Sequence, residues 1–122
     1  MKLQLALDEM KLNEALEFVE RVKEYVDIIE IGTPFVIDEG MNAVKRFKEK
    51  FPDKEILSDE KIMDGGYHES ELGYDAGADY VTVLGVTDVL TVEACLKAAN
   101  DHRKQIVVDM ICVEKLPEKI KQ

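Results

Sequence analysis

The sequence is poor in the residue types that mark disulfide-rich and membrane-spanning proteins. It has two cysteines, three prolines and no tryptophan among its 122 residues. Two cysteines cannot form a disulfide framework, and Cys95 and Cys112 lie in apolar stretches without metal-ligand spacing, so we predict reduced thiols in the core. No apolar run approaches the ~20 residues that a transmembrane helix requires.

Positive charge is also scarce, because 16 Lys and Arg stand against 26 Asp and Glu, giving a net charge of −10. Binding to nucleic acid or to an anionic membrane requires a basic face, so we expect neither as a partner. The N-terminal Met1-Lys2 leads directly into strand-like sequence rather than into a secretory signal. We therefore expect a cytoplasmic protein.

What the sequence does contain is a repeat of strand-like and helix-like segments. Five short apolar runs are predicted to be strands, at residues 2–7, 28–31, 55–58, 80–84 and 105–110. Between them, apolar residues recur at helical spacing, in segments around residues 12–26, 43–51, 68–76 and 92–99. Successive strands start at nearly equal intervals, each the length of one βα unit.

This alternation predicts an α/β fold with right-handed crossovers and a parallel sheet. The fourth and fifth strands are nearly continuous in apolar residues, which is typical of parallel strands covered on both faces. Five strands fit either an open sheet or the first five strands of a (β/α)8 barrel. We treat residues 1–122 as a single domain.

Charged residues collect where the predicted strands end. Asp59 and Lys61 lie two apart, so in a strand their side chains share a face. The whole set comprises Asp8, Glu30, Asp59, Lys61 and Asp109, with Asp64 in the turn that precedes Gly65-Gly66. Closely placed carboxylates repel one another unless a proton or a cation intervenes, and oxygen ligands in an open site favour Mg²⁺. Surface ion pairs and helix N-caps are the structural alternatives.

Several motifs carry a resemblance to a known family. They are Leu-Gln-Leu-Ala-Leu-Asp at residues 3–8, Glu-Ile-Gly-Thr-Pro at 30–34, Asp-x-Lys-x-x-Asp at 59–64, Gly-Ala-Asp-Tyr-Val-Thr-Val-Leu-Gly at 77–85 and Val-Asp-Met-Ile at 108–111. In order and spacing the sequence resembles the 3-hexulose-6-phosphate synthases, in the orotidine 5′-phosphate decarboxylase superfamily of barrels. The third motif is specific for the superfamily, and the second and fifth narrow the resemblance toward the synthases.

The resemblance implies an Mg²⁺-dependent aldol reaction, in which formaldehyde joins D-ribulose 5-phosphate through an enediolate to give D-arabino-hex-3-ulose 6-phosphate. By this resemblance Glu30 and Asp59 would ligate the metal. Lys61 would stabilise the charge of the enediolate. Asp8 would orient Lys61 and the substrate hydroxyls, and Asp109 would assist substrate binding or proton transfer.

The resemblance also carries expectations about assembly and completeness. Asp64 would reach across a dimer interface into the neighbouring site, which implies a homodimer or higher self-association. Barrels of this kind have about 250 residues, so this sequence would supply a truncated barrel that ends after the fifth strand, at the start of the following helix. The sixth-strand histidine and the phosphate-binding loops of the seventh and eighth strands would be missing, so we expect weak or no independent catalysis.

Three alternatives stay open at this point. One is a non-catalytic half-barrel that self-associates, and another is an enzyme similar to 3-keto-L-gulonate-6-phosphate decarboxylase. The third is a response-regulator receiver domain. Asp8, Asp59 and Thr82 match the acidic and threonine positions of such domains. A receiver needs a lysine at the end of the fifth strand, where this sequence has Asp109.

Glu60 does not fit the pattern of a barrel. It lies between two residues predicted to face inward, so it should point outward beneath the helices. A small or apolar side chain is expected there, because an unpaired buried carboxylate is costly.

Overall fold

The computed structural model describes residues 1–121, in which strands and helices alternate. The elements are β1 (Gln4–Leu7), α1 (Leu12–Val22), β2 (Ile28–Ile31), α2 (Thr33–Glu39), α3 (Met41–Lys50), β3 (Glu55–Ile62), α4 (Gly66–Asp75), β4 (Tyr80–Leu84), α5 (Val89–His102), β5 (Gln105–Asp109) and α6 (Leu116–Lys119). A short 3-10 helix, Lys23–Tyr25, follows α1. Within this described part, no helix is both long and apolar enough to cross a membrane.

The five strands form one sheet in the order β1-β2-β3-β4-β5, and every neighbouring pair is parallel. Sequential parallel strands joined by helices are the repeat from which a (β/α)8 barrel is built. The predicted α/β fold class, with five strands of such a barrel, is confirmed. The helices pack on one face of the sheet, and the other face carries Glu30, Asp59, Thr82 and Asp109.

The core lies between the sheet and the helices. Ile29 and Ile31 of β2 are fully buried there, because their side chains alternate with those of the opposite face. Three aromatic rings fill the space beneath α2 and α3: Phe35 and Phe47 meet edge to face at 6.1 Å, and Phe47 and Phe51 lie 5.9 Å apart. Such pairs contribute about 0.5–1.5 kcal/mol each beyond the area that they bury.

The structure differs from the predicted elements mainly between β2 and β3. Helix α2 occupies residues 33–39, where the apolar periodicity predicts no helix. Pro34 lies in its first turn, a position that suits proline. Gly40, with φ of 61°, separates α2 from α3. Strand β3 also continues to Ile62, past its predicted end at Ser58, so Asp59 and Lys61 lie within the strand.

The two cysteines have different environments. Cys95 of α5 is fully buried, as predicted. Cys112 is exposed, so the prediction of a core thiol was wrong for this residue. It follows β5 in a turn, where its backbone has φ of 61°.

The pairing of strand β3 with β4 is irregular at residues 59–61, which include Asp59 and Lys61. Ser58 pairs with Val81 and Ile62 pairs with Val83, so the residues 59–61 lie opposite Thr82 alone. Lys61 has a left-handed backbone conformation with φ of 49°, which costs about 1–2 kcal/mol in a residue other than glycine. Bulges of this kind change the direction of a side chain and are frequent beside functional sites.

Glu60 points toward the helix layer, as strand alternation predicts, and lies against α4. A Cβ atom on Gly73 would overlap Glu60 Oε1, so glycine leaves the room that the carboxyl needs. This Oε1 is buried, and it has no hydrogen-bond partner among the described residues. Burial is the main cause that raises the pKa of Glu60 to about 7. The carboxyl therefore takes up a proton near neutral pH rather than remaining a buried anion.

We expect Glu60 to make folding stability depend on pH. Its pKa is about 7 when folded and near 4.5 when exposed, so the folded state holds the proton more tightly. The stabilising effect is complete below the lower value and is lost as pH rises through the higher one, by at most about 3 kcal/mol. Urea unfolding across this range should show a decline for the wild type and a flatter profile for Glu60→Gln. A matched change at an exposed carboxyl, Glu49→Gln, should leave the decline intact, and equal slopes in all three proteins would contradict this role.

At the amino-terminal ends of the strands, the carboxylate of Asp79 links several elements. Asp79 lies just before β4, and its carboxylate accepts hydrogen bonds from Lys48 Nζ at 2.9 Å, Lys104 Nζ at 2.6 Å and the backbone amide of Ile56 at 2.9 Å. Desolvation raises its pKa, but these bonds outweigh that effect and hold the pKa of Asp79 below its ordinary value. Charge networks at the amino-terminal edge of barrel strands serve stability.

Replacing Asp79 by asparagine should destabilise the fold by about 2 kcal/mol, because two lysines lose their common anion while the site is only partly exposed. The loss should shrink as pH falls through the folded pKa of Asp79, since the wild-type carboxylate is then protonated. Thermal or urea unfolding measures it. Asp53→Asn is the control, since the Asp53 side chain is 76% exposed beside Lys54. Equal effects of the two substitutions would show that Asp79 is an ordinary surface anion.

Candidate active site

The carboxyl-terminal ends of the strands meet at one edge of the sheet, where side chains from neighbouring strands form a cluster. We define the site cluster as Asp59 and Lys61 of β3, Thr82 of β4 and Asp109 of β5. They meet on the sheet face that the helices do not cover. This edge is where parallel α/β folds place catalytic and binding residues.

The ammonium group of Lys61 lies between two carboxylates. Its Nζ is 2.8 Å from Asp109 Oδ2 and 3.0 Å from Asp59 Oδ2. The hydrogen bond to Asp109 is the main cause that raises the pKa of Lys61, and it outweighs the opposite effect of desolvation. The same bond is the main cause that lowers the pKa of Asp109. At neutral pH, Lys61 is therefore a cation and Asp109 an anion. The Lys61 side chain remains 34% exposed, so a ligand can reach it.

Asp59 is held by hydrogen bonds on both carboxylate oxygens. Thr33 Oγ1 donates to Oδ2 at 2.7 Å, and Thr82 Oγ1 donates to Oδ1 at 2.7 Å. Lys61 Nζ also lies 3.2 Å from Oδ1. Asp59 is only 7% exposed. Contacts from three sides fix one orientation of this carboxylate, with little freedom to rotate.

Glu30 and Asp8 lie on the neighbouring strands. Glu30 is half-buried on β2 and accepts a hydrogen bond of 2.6 Å from Gln4 Nε2. Asp8 is exposed just after β1 and packs against Gly32, where a Cβ atom would overlap its carboxylate. The described hydrogen bonds of Lys61 Nζ are with Asp59 and Asp109. Asp109 rather than Asp8 therefore orients the ammonium group in this structure.

Asp64 lies outside the site cluster. It is exposed in the turn between β3 and α4, where its carbonyl oxygen accepts a hydrogen bond from the amide of Gly66 at 2.9 Å. Its carboxylate takes no part in the hydrogen bonds that join Lys61 to its partners. The fold of one chain thus does not bring Asp64 together with Lys61.

Glu30 and Asp59 are the candidates for holding a divalent cation. Carboxylate oxygens are the ligands that Mg²⁺ prefers, and one or two carboxylates commonly hold it together with water and substrate oxygens. Among residues 1–121, no group of three or more His, Cys, Asp or Glu side chains is arranged to hold a metal ion. A cation held by Glu30 and Asp59 would therefore need further ligands from water or a bound substrate.

Sequence reasoning missed the part that threonines play here. Thr33 enters the sequence analysis only as part of the Glu-Ile-Gly-Thr-Pro motif, and Thr82 only as part of the motif at 77–85 and as a match to a receiver domain. The signal for Thr82 was present, because it is a polar residue in the middle of the apolar run Val-Thr-Val-Leu. Thr33 gives no such signal, since its contact with Asp59 depends on how α2 begins after β2.

Comparison with known proteins identifies similar sequences along the whole chain. The chain is 48% identical over 122 residues to the 3-hexulose-6-phosphate synthase of Bacillus subtilis (strain 168). This match covers 100% of the chain and 58% of the relative. The synthase of Mycobacterium gastri is 46% identical over 114 residues, 93% of this chain and 55% of its own length. This chain therefore spans little more than half the length of these relatives.

Solved structures agree with the sequence relatives. The crystal structure of 3-hexulose-6-phosphate synthase from Salmonella typhimurium superposes with a TM-score of 0.98 and 64% identity, covering 99% of this chain and 57% of that one. That of 3-keto-L-gulonate-6-phosphate decarboxylase from Vibrio cholerae has a TM-score of 0.91 and 32% identity, with 96% and 55% covered. Residues 1–120 match the family described as orotidine 5′-phosphate decarboxylase / HUMPS, and the chain belongs to that family.

Proposed function

We propose that this chain carries the lysine and the metal-binding residues of a 3-hexulose-6-phosphate synthase-like site. The reaction is the Mg²⁺-dependent aldol addition of formaldehyde to D-ribulose 5-phosphate. The observation that carries the proposal is the Lys61 ammonium group, held between Asp59 and Asp109 at the open edge of the sheet. The similarity of the chain to synthases over its whole length supports it.

The reaction requires loss of a proton from the carbon beside the ketone and stabilisation of the negative charge that results. Lys61 supplies a fixed positive charge for this purpose, and because its partners already hold it in place, little reorganisation is needed during reaction. Glu30 and Asp59 would hold the Mg²⁺, which would supply further positive charge. The fixed charge of Lys61 favours the enediolate over the neutral ketone.

The remaining acidic residues have supporting roles in this proposal. Asp109 accepts from Lys61 and from the backbone amide of Ile111 at 2.9 Å, so its carboxylate is oriented for substrate binding or for proton transfer. Asp8 is exposed at the same edge and is available to substrate hydroxyls. Asp64 acts in the site of a second copy of the chain, which makes the functional form a homodimer.

Two other functions have an observation in their favour. Decarboxylation of 3-keto-L-gulonate 6-phosphate is favoured by the similarity to the Vibrio cholerae decarboxylase, and it would use the same lysine and metal-binding residues. A non-catalytic, self-associating half-barrel is favoured by β1 and β5, which are the two outer strands of the described sheet. Unpaired strand edges promote association with another chain.

The synthase activity can be tested with Lys61→Ala. We expect the wild type to consume formaldehyde weakly, and only when D-ribulose 5-phosphate and Mg²⁺ are both present. EDTA should abolish this reaction until Mg²⁺ is restored. Loss of the ammonium group should lower kcat by about 10²–10³-fold, because the charge of the enediolate is no longer stabilised. Lys97→Ala, which removes a 67% exposed lysine of α5, should retain the wild-type rate.

Two results would contradict this assignment. Folded wild-type protein without formaldehyde consumption would favour the non-catalytic half-barrel. Release of carbon dioxide from 3-keto-L-gulonate 6-phosphate, without aldol activity, would favour the decarboxylase. Circular dichroism of each variant shows whether the protein is folded.

The role of Asp64 in a second copy can be tested by mixing two inactive variants. Dimers formed from Lys61→Ala and Asp64→Asn chains contain one site in which both residues are native, so co-refolding should restore about one quarter of the wild-type activity. A mixture of Lys61→Ala with Asp8→Asn is the control. Asp8 and Lys61 of one chain act in the same site, so every site in this mixture lacks one of the two residues. An Asp64 mixture as inactive as the control would show that Asp64 does not act between subunits.

A further inference from the structure

Thr82 occupies an unusual position in the sheet, because it alone faces the irregular part of β3. The regular pairing of β3 with β4 stops at Ser58 with Val81 and resumes at Ile62 with Val83. Between these pairs, the backbone of Lys61 lies in the left-handed region with φ of 49°. A residue that leaves the strand conformation at this point loses its regular partner on the next strand, so its amide needs another acceptor.

The hydroxyl group of Thr82 fills this gap with two hydrogen bonds. The backbone amide of Lys61 donates to Thr82 Oγ1 at 2.8 Å, and Thr82 Oγ1 donates to Asp59 Oδ1 at 2.7 Å. A hydroxyl has one proton to give and lone pairs with which to accept, so both bonds can exist together. Thr82 is 5% exposed and Asp59 is 7% exposed, so water has little access to replace either bond.

We propose that Thr82 is a positioning residue, whose hydroxyl group fixes the backbone of Lys61 and the carboxylate of Asp59 in the geometry that the reaction needs. As a claim about catalysis, this inference rests on the proposed synthase function. It assigns Thr82 no contact with substrate. By holding the backbone of Lys61, the hydroxyl group sets the position from which the Lys61 side chain extends toward Asp109. It also donates a hydrogen bond to one oxygen of the Asp59 carboxylate.

The side-chain shape of Thr82 is separable from its hydroxyl group. Valine has nearly the same volume but can neither accept from the Lys61 amide nor donate to Asp59. Serine keeps the hydroxyl group and loses only a methyl group. Thr91 of α5 provides a matched control, because it is 7% exposed and its hydroxyl group lies 3.5 Å from Asp88 Oδ2, away from the site cluster.

The experiment compares Thr82→Val, Thr82→Ser and Thr91→Val by steady-state kinetics with formaldehyde and D-ribulose 5-phosphate. We expect Thr82→Val to lower kcat by about 10²-fold with little change in KM, because a misplaced catalytic group mainly affects the chemical step. Thr82→Ser and Thr91→Val should stay close to the wild type. Wild-type kcat in Thr82→Val, or equal loss in Thr82→Ser, would overturn the proposal.

A second measurement does not depend on activity. Amide hydrogen exchange and ¹⁵N NMR of the ammonium group report directly on Lys61. In Thr82→Val the Lys61 amide should exchange at least about tenfold faster, and its ammonium signal should be lost, while both should persist in the other two variants. If the wild type catalyses no aldol reaction but these changes occur, the proposed function fails and the positioning role of Thr82 stands. An unchanged Lys61 amide in Thr82→Val would remove that role, whatever the activity.

Discussion

The left-handed backbone of Lys61 is the constraint on which the rest of the site depends. In a regular strand the amide of Lys61 would pair with the backbone of β4, but in this conformation it bonds to the hydroxyl group of Thr82. The Lys61 side chain then reaches Asp109 on β5, across the strand that lies between them. The strain of about 1–2 kcal/mol is offset by charge-assisted hydrogen bonds that each contribute a similar amount.

The charged groups at the two ends of the strands have opposite arrangements. At the amino-terminal edge, one carboxylate lies between two ammonium groups, those of Lys48 and Lys104 on Asp79. At the carboxyl-terminal edge, one ammonium group lies between two carboxylates, those of Asp59 and Asp109 on Lys61. The carboxylate of Asp79 also accepts a hydrogen bond from the backbone amide of Ile56, and so links secondary-structure elements. The side chain of Lys61, in contrast, remains partly exposed. A sheet held firmly at one edge can present an open, charged site at the other.

The amino-acid pattern predicts the order of the elements because burial imposes a period on each of them. Strand and helix alternation, the parallel sheet and the shared face of Asp59 and Lys61 all follow from this periodicity. Helix α2 escapes prediction because its short span shows too little periodicity to be distinguished from a loop. The partner of Lys61 also escapes it, since the pattern groups several acids at the strand ends but does not indicate that Lys61 bonds to Asp109. Local patterns carry no information about a bond between strands that are far apart in sequence.

Glu60 shows how the same irregular segment affects the layer beneath it. Asp59 and Lys61 face the site, so the side chain between them must enter the helix layer, where its carboxyl meets α4 at Gly73. A larger residue at position 73 would clash with that carboxyl, and an ionised Glu60 would place an uncompensated charge beneath the site. Protonation of Glu60 removes this charge, since burial raises its pKa to about 7. The glycine at 73 therefore leaves room both for the Glu60 carboxyl and for the side chain of Val81 on β4.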